Sequence, residues 1–210
     1  MHFVVIARAV SNAQKKPEGL RERKRRETRR RLAETGLRLF LDKGYEETTL
    51  DAIAEAAGVS RRTVFHYFDQ KEDILLAWQS GLGEAMQEAI LRQPPDQPPI
   101  DVTLAAALEV AAQHQDAELI RIERLLTSSE SLRARKSAKF AQHEHVICEA
   151  LRALWPAPER QERLRLVAMV AAGAIRVAFE RWAGRNGADL LADHLRQAFV
   201  ELKAEIAATD

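Results

Sequence analysis

The chain has 210 residues, 46% hydrophobic and 30% charged, with a net charge of +1. That is the composition of a globular chain, long enough for one large domain or for a small domain beside a larger one. It excludes collagen-like, low-complexity and disulfide-scaffold proteins. One cysteine, Cys148, cannot form an internal disulfide, which points to a reducing cytoplasm. The charge is uneven: Lys15 to Arg31 holds ten Lys/Arg and three Glu, a net of +7, so the rest of the chain sums to −6. This pattern reads as a basic arm on a mildly acidic body.

Residues 1–19 read as a flexible tail. The apolar run Phe3 to Val10 is broken by Arg8 and is too short to span a bilayer, which needs about twenty apolar residues. A signal peptide is the weaker reading, since no positive start precedes the run and no clear cleavage site follows it. Leu20 to Lys43 reads as the first helix, with Ala33, Leu37, Phe40 and Leu41 on its buried stripe and a solvated, basic start, RERKRRETRRR. Lys43-Gly44-Tyr45 ends it, and Tyr45 is expected to pack between helices.

Thr49 to Phe68, TLDAIAEAAGVSRRTVFHYF, carries the densest information in the chain. Leu50, Ile53, Ala54 and Ala57 fall at i, i+3, i+4 and i+7, one apolar helix face. Thr48 or Thr49 can cap its start, because a hydroxyl there accepts from an orphan amide. Gly58 can end it in the left-handed conformation that a Cβ disfavours. Ser60 can cap a second helix that turns Val64 and Phe68 inward. Two short helices joined by a Gly-containing turn make a helix-turn-helix. The second helix of that motif offers its N-terminal residues to base edges in the major groove, here Arg61, Arg62 and Thr63.

The stretch Ala33 to Leu75 resembles the DNA-binding domain of TetR-family transcriptional regulators. The matching residues are Phe40, Gly44, Tyr45, Thr48-Thr49, Ile53-Ala54, Ala57-Gly58-Val59-Ser60, Thr63, Tyr67-Phe68 and Lys71. The resemblance implies an all-α homodimer with a ligand-binding C-terminal domain, and repression relieved by a small molecule. Two positions depart from the family pattern. An acidic residue is common where Ala52 stands, and a tyrosine whose phenol touches a phosphate is common where Phe65 stands. Phe65 cannot donate that hydrogen bond.

Beyond the motif the chain stays helical. Lys71 to Arg92 carries Leu75, Trp78, Leu82, Met86 and Ile90 at helical spacing, with Asp73 suited to the dipole of its first turn. Four prolines between Pro94 and Pro99 stop it. Further helices are expected over Asp101 to Gln113, Asp116 to Leu126, Ser129 to Leu154, Glu159 to Ala183 and Asp189 to Ala207. The fourth of these contains LVAMVAAGAIRVAF, residues 166–179, with one charge in fourteen residues. A helix apolar nearly all round is buried on several sides. A homodimer interface would bury it, and the resemblance points the same way, since family members pair their last two helices as a four-helix bundle.

These readings give an all-α protein: residues 1–19 a tail, 20–75 a helix-turn-helix domain, and 76–210 a helical effector-binding and dimerisation domain. Arg61, Arg62 and Thr63 are expected at the bases. Thr49, Ser60, Tyr67, Lys71 and the basic arm are expected at phosphates, any extended part of the arm entering a minor groove. His66 reaches a phosphate or is an exposed helix residue. Trp78 is core or the floor of a ligand pocket. Arg176 binds an anionic ligand group or pairs with Glu180 at i+4, and Arg133 and Arg135 meet an anionic effector or cover an exposed face. A weaker likeness, in Ser131-Leu132-Arg133-Ala134-Arg135 and Ala178 to Trp182, is to TetR members with acyl-CoA-like effectors. His145, Cys148 and Glu149 share a helix face but no second cluster completes a metal site, so neither metal nor cofactor is expected. Phosphate-loop, serine-elbow and HExxH signatures are missing, so no catalytic residue is assigned. The expected partners are operator DNA, a second copy of the chain and a small molecule, with no membrane. Two other classes stay open: an effector-free DNA-binding protein, and an all-α enzyme that uses the motif only for packing.

Overall fold

A computed structural model describes residues 19–128 and 130–208. Among these residues the fold is all helical, with nine α-helices, one 3-10 turn and no strand. The first four helices are α1 (Leu20–Lys43), α2 (Leu50–Ala56), α3 (Arg61–Tyr67) and α4 (Lys71–Arg92). They are followed by α5 (Pro99–Ala111), α6 (Asp116–Thr127), α7 (Glu130–Leu154), α8 (Gln161–Gly184) and α9 (Leu191–Ala207). The expected tail, residues 1–18, and the start of the basic arm lie outside the described residues. The arm from Leu20 onward is helical, so an extended reach into a minor groove does not apply to it.

Three helix starts differ from the sequence expectation, each for a local reason. Helix α5 begins at Pro99, because a proline in the first turn lacks only an amide that would have had no intrahelical partner. The segment before α8 winds as a 3-10 turn over Pro158–Arg160. Helix α9 begins at Leu191 rather than Asp189. The carboxylate of Asp116, from the start of α6, accepts the Leu191 amide at 3.1 Å and so supplies the cap from a distance in sequence.

Two cores form. Leu32, Leu37, Phe40, Ile53, Val64, Phe68 and Ile74 close the head around α1–α4. Ile90, Val102, Leu151, Leu164, Trp182 and Phe199 lie in the larger core of the body. Each such side chain contributes about 1.5–3 kcal/mol of transfer free energy when fully buried. Helix α4 belongs to both, with Ile74, Leu75 and Ala77 in the head and Met86, Ala89 and Ile90 in the body; Trp78 packs against each. Helix α6 also crosses over, inserting Ile122 and Leu126 into the head core.

Helix α8 buries Ala168, Ala171, Ala174, Ala178 and Trp182 on one side. Its other side leaves Leu166, Met169 and Val170 exposed, and α9 leaves Val200 and Ile206 exposed. Ile206 is thus apart from Leu191, Leu195 and Ala198, which the same helix buries. No helix among the described residues is long and apolar enough to cross a membrane.

Candidate nucleic-acid interface and ligand cavity

The reading head is set by three local devices. The Thr49 hydroxyl accepts the Ala52 amide at 3.1 Å and caps α2. Gly58 takes φ +65°, the left-handed value its turn requires. The Ser60 hydroxyl accepts the Thr63 amide at 3.1 Å and caps α3, and it shares a 2.8 Å hydrogen bond with the Thr63 hydroxyl. Val64 and Phe68 are fully buried beneath α3, which forces Arg61, Arg62, Phe65 and His66 to the outer face, where all four are exposed.

Arg61 is already held in place. Its Nε lies 3.0 Å from the Asp51 carboxylate, and its guanidinium sits 5.2 Å over the Phe65 ring. Phe65, 41% exposed, is therefore a platform for Arg61 at the position where a phenol is common in the resembling family. His66 meets the edge of the half-buried Tyr67 ring at 5.1 Å. Lys71 is turned inward: its ammonium donates to the Tyr45 carbonyl at 2.8 Å and the Glu46 carbonyl at 3.2 Å, and lies 4.2 Å from the centre of the Tyr45 ring. In this conformation Lys71 staples the start of α4 to the loop after α1. Tyr45 also packs on Phe40, with ring centres 5.0 Å apart. From the helical arm, Arg29 places its guanidinium 5.5 Å over the Phe68 ring, and Arg30 pairs with Glu34 at 3.6 Å.

The body holds a partly open cavity of about 170 Å³. Helix α4 supplies Trp78, Leu82, Gly83 and Met86. Helices α5 and α6 supply Val110, Leu119 and Ile122 among others, and α8 supplies Ala172, Ile175 and Phe179. Its polar groups are His114, Glu123 and His143. The His114 ring stands edge-on to Trp78, with centres 6.2 Å apart.

Trp78 is thus both a core residue and part of the cavity wall. Arg176 and Arg133 are not in that wall. On α8 the side facing the cavity is that of Ala172, Ile175 and Phe179, which turns Arg176 to the exposed side, 3.7 Å from Glu180. Arg133 donates to the Thr127 carbonyl at 2.8 Å and so closes the end of α6. The Arg135 side chain lies outside the described residues. His143 lines the cavity, His145 is exposed and Cys148 is buried. Among the described residues no group of three His, Cys, Asp or Glu is placed to hold a metal ion.

Residues 32–78 match the model of bacterial regulatory proteins of the tetR family, and residues 97–207, more than half of the chain, match that of the MftR C-terminal domain. The chain belongs to the TetR family. Among curated relatives, the transcriptional regulator TcmR of Streptomyces glaucescens is 41% identical over 101 residues, 48% of this chain and 45% of that protein. The repressor AcnR of Corynebacterium glutamicum is 40% identical over 50 residues, 24% of this chain and 27% of that one. The aligned stretches thus span less than half the length of either relative. Among solved structures, Thermus thermophilus FadR, a TetR-family repressor in complex with lauroyl-CoA, superposes with a TM-score of 0.60 at 25% identity, covering 87% of this chain and 96% of that one. A TetR-family protein from Mesorhizobium loti shares the fold, with a TM-score of 0.57 at 16% identity over 87% of this chain and 96% of its own.

In this TetR-family chain one helix joins cavity and head. Leu119, Ile122, Glu123 and Leu126 of α6 line the cavity, while Arg121, on the same helix, donates to the Leu41 carbonyl at 2.6 Å and pairs with Asp42 at 3.2 Å. That bond satisfies a carbonyl at the C-terminal end of α1, where a cation also suits the dipole. Arg124 bonds Asn186 in the turn between α8 and α9. Arg121→Ala is expected to cost only about 1 kcal/mol of stability, because the pair is exposed. Hydrogen exchange should nonetheless show faster opening at the C-terminal end of α1; unchanged protection there would contradict the tether.

Sequence reading missed three residues of this arrangement. Asp51, which holds Arg61, lies ten positions away on another helix. His114 lies in a short loop with no periodic signal, and Glu123 reads as an ordinary solvated position of an amphipathic helix.

Proposed function

We propose that the protein is a sequence-specific DNA-binding repressor, released from its operator when a small molecule fills the cavity. The observation that carries this reading is the exposed pair Arg61-Arg62 at the capped start of α3, raised by the burial of Val64 and Phe68. Arg61 must leave Asp51 to meet a guanine. An exposed ion pair is worth at most about 1 kcal/mol, and a bidentate guanine contact about 1–3 kcal/mol of discrimination, so the base contact wins. Thr63, His66 and Tyr67 flank the reading pair. The Thr49 hydroxyl accepts one amide and keeps its O–H donor for a phosphate, and the hydrogen-bonded Ser60–Thr63 hydroxyl pair has one O–H left over for another. The exposed arginines of α1 add attraction independent of sequence. Lys71 reaches a phosphate only by giving up its bonds to Tyr45 and Glu46.

Two heads engage successive half-sites about 34–36 Å apart only as a dimer. The exposed Leu166, Met169 and Val170 of α8, with Val200 and Ile206 of α9, are the apolar surface that a second copy would cover. A ligand in the cavity presses on α4 and α6, both of which enter the head core, and shifts the population toward a head spacing that no longer fits. It acts only by the difference in its affinity for the two spacings. The single cysteine and a DNA partner support a cytoplasmic setting for this activity. An acyl-CoA-like effector has support from the likeness to FadR, and the apolar wall suits an acyl chain. No Lys or Arg is among the described lining residues to meet its phosphates.

The test is binding to the DNA upstream of the protein's own gene against random duplex across a salt series. Preference for the upstream fragment is expected, with Arg61→Ala costing about 1–3 kcal/mol on that fragment alone. Replacing several α1 arginines should weaken binding to both duplexes and flatten the salt slope. Equal affinity for both duplexes in the unaltered protein would sink the specific-regulator reading.

A further inference from the structure

Among the described Phe, Tyr and Trp side chains, Phe65 is the one that is exposed, at 41%. It stands on the outer face of α3, four residues after Arg61, whose guanidinium lies 5.2 Å over its ring. A single exposed apolar side chain is ordinary on a free surface. This one lies on the helix face offered to the bases, where DNA takes the place of water. Its chemistry says which group it can meet there. With no hydroxyl it gives a phosphate no hydrogen bond, and the negative face of its quadrupole repels an anionic oxygen. Set against the N7, O6, N6 or N4 groups of the bases, it would strip water from a donor or acceptor and offer no partner in return. The C5-methyl of thymine is the apolar group that a base pair presents in the major groove.

Spacing narrows the position of that base. Four residues along an α-helix advance about 6 Å, and successive bases of one strand are about 3.4 Å apart along the duplex. We infer that Phe65 is a specificity-determining residue that packs on a thymine methyl, within about two base pairs of the guanine taken by Arg61. Arg61 leaves Asp51 to reach its guanine, and the Phe65 ring stays beneath the guanidinium. The ring area that Arg61 does not cover is left for the methyl. One side chain thus steers the arginine and reads a neighbouring base. The inference rests on α3 being the DNA-reading helix and adds a second base that this helix selects.

The test lets the full-length protein and its Phe65→Ala variant each select from a pool of duplexes randomised at their centre. Sites chosen by the unaltered protein should carry, in each half-site, a thymine within about two base pairs of a guanine. The Phe65→Ala protein should keep the guanine and lose the preference for thymine. The selected site is then synthesised with deoxyuridine in place of that thymine, which removes the methyl and leaves the pairing intact. The unaltered protein should lose about fourfold in affinity for each half-site, the factor for one buried methyl-sized group. The Phe65→Ala protein, altered only at an exposed position, should fold as its parent does and bind both versions equally. Loss of the platform for Arg61 weakens that variant on both versions alike, so the comparison between them reads the methyl alone. Selected sites without the thymine, an unaltered protein indifferent to the uracil, or an equal uracil penalty in Phe65→Ala would each overturn the inference and leave sequence-specific binding standing. A pool in which no sequence is enriched overturns sequence-specific binding itself, and this inference with it.

Discussion

Trp182→Ala lowers the unfolding free energy by about 3–5 kcal/mol, the range for truncating a large buried aromatic. Trp182 is fully buried near the end of α8. It meets the Phe179 ring edge-on at 6.0 Å, and its indole N–H donates to the Asp189 carbonyl at 3.0 Å. One side chain therefore fills the body core and ties α8 to the turn that leads into α9. The turn is shaped around it: Gly187 takes φ +69°, and a Cβ there would lie 3.5 Å from the indole. Loss of the ring leaves a cavity and deprives the Asp189 carbonyl of its donor, and both effects act in the same direction. In a chain of this size the melting temperature should fall by very roughly 6–20 °C. Trp182→Phe restores part of the volume but not the hydrogen bond, so it should fall between the two. Urea unfolding of the three proteins measures this; a Trp182→Ala midpoint equal to the parent would show that the ring is not a keystone of the body.

The same substitution has opposite signs at two glycines. Exchanging an interior helical Gly for Ala gains about 1 kcal/mol from propensity alone. At Gly36 a Cβ would stand 2.6 Å from Ile74 Cγ2 and 3.3 Å from Ile53 Cδ1. Ile74 and Ile53 are fully buried, and a Cγ2 on a β-branched side chain has little room to yield. Overpacking of that kind costs about 1–3 kcal/mol and also pushes α4 away from α1. Gly36→Ala is therefore expected to be net destabilising, and Gly36→Val more so. At Gly81, in the middle of α4, a Cβ meets nothing within 4 Å. Gly81→Ala should raise stability by several tenths to about 1 kcal/mol. Thermal melts of the two alanine variants decide it, and a stabilised Gly36→Ala protein would contradict the close approach of α1 and α4. The contrast also places a glycine that packing does not require in α4, between the two cores, where that helix passes the cavity.

Much of the fold was legible because helices announce themselves locally. The ranges of α1 and α4, and the caps at Thr49 and Ser60, follow from apolar spacing, a hydroxyl before each run and a glycine after. Arg61-Arg62 on the outer face follows from Val64 and Phe68 on the inner one. The candidate residues for a ligand were less legible. Arg176 and Arg133 drew attention because an arginine near an apolar run can hold an anion, yet each has a near neighbour in sequence, Glu180 and Thr127, that engages it. Glu123 and His114 carry no such signal, since nothing local distinguishes a charge that faces a cavity from one that faces water.

What the sequence determined by itself is whatever depends on neighbours within about a turn or two: the extents of α1 and α4, the caps at Thr49 and Ser60, the helix-turn-helix and the outward set of its second helix. These are fixed by backbone geometry and a period of 3.6 residues, which short stretches carry in full. Only the tertiary structure decided which side chains meet across long separations. It holds Arg61 on Asp51 and Phe65, turns Lys71 inward to Tyr45, lets Asp116 start α9, joins α6 to the head through Arg121, and collects the cavity from α4 to α9. Those contacts depend on how the two cores close, and no local pattern encodes that closure.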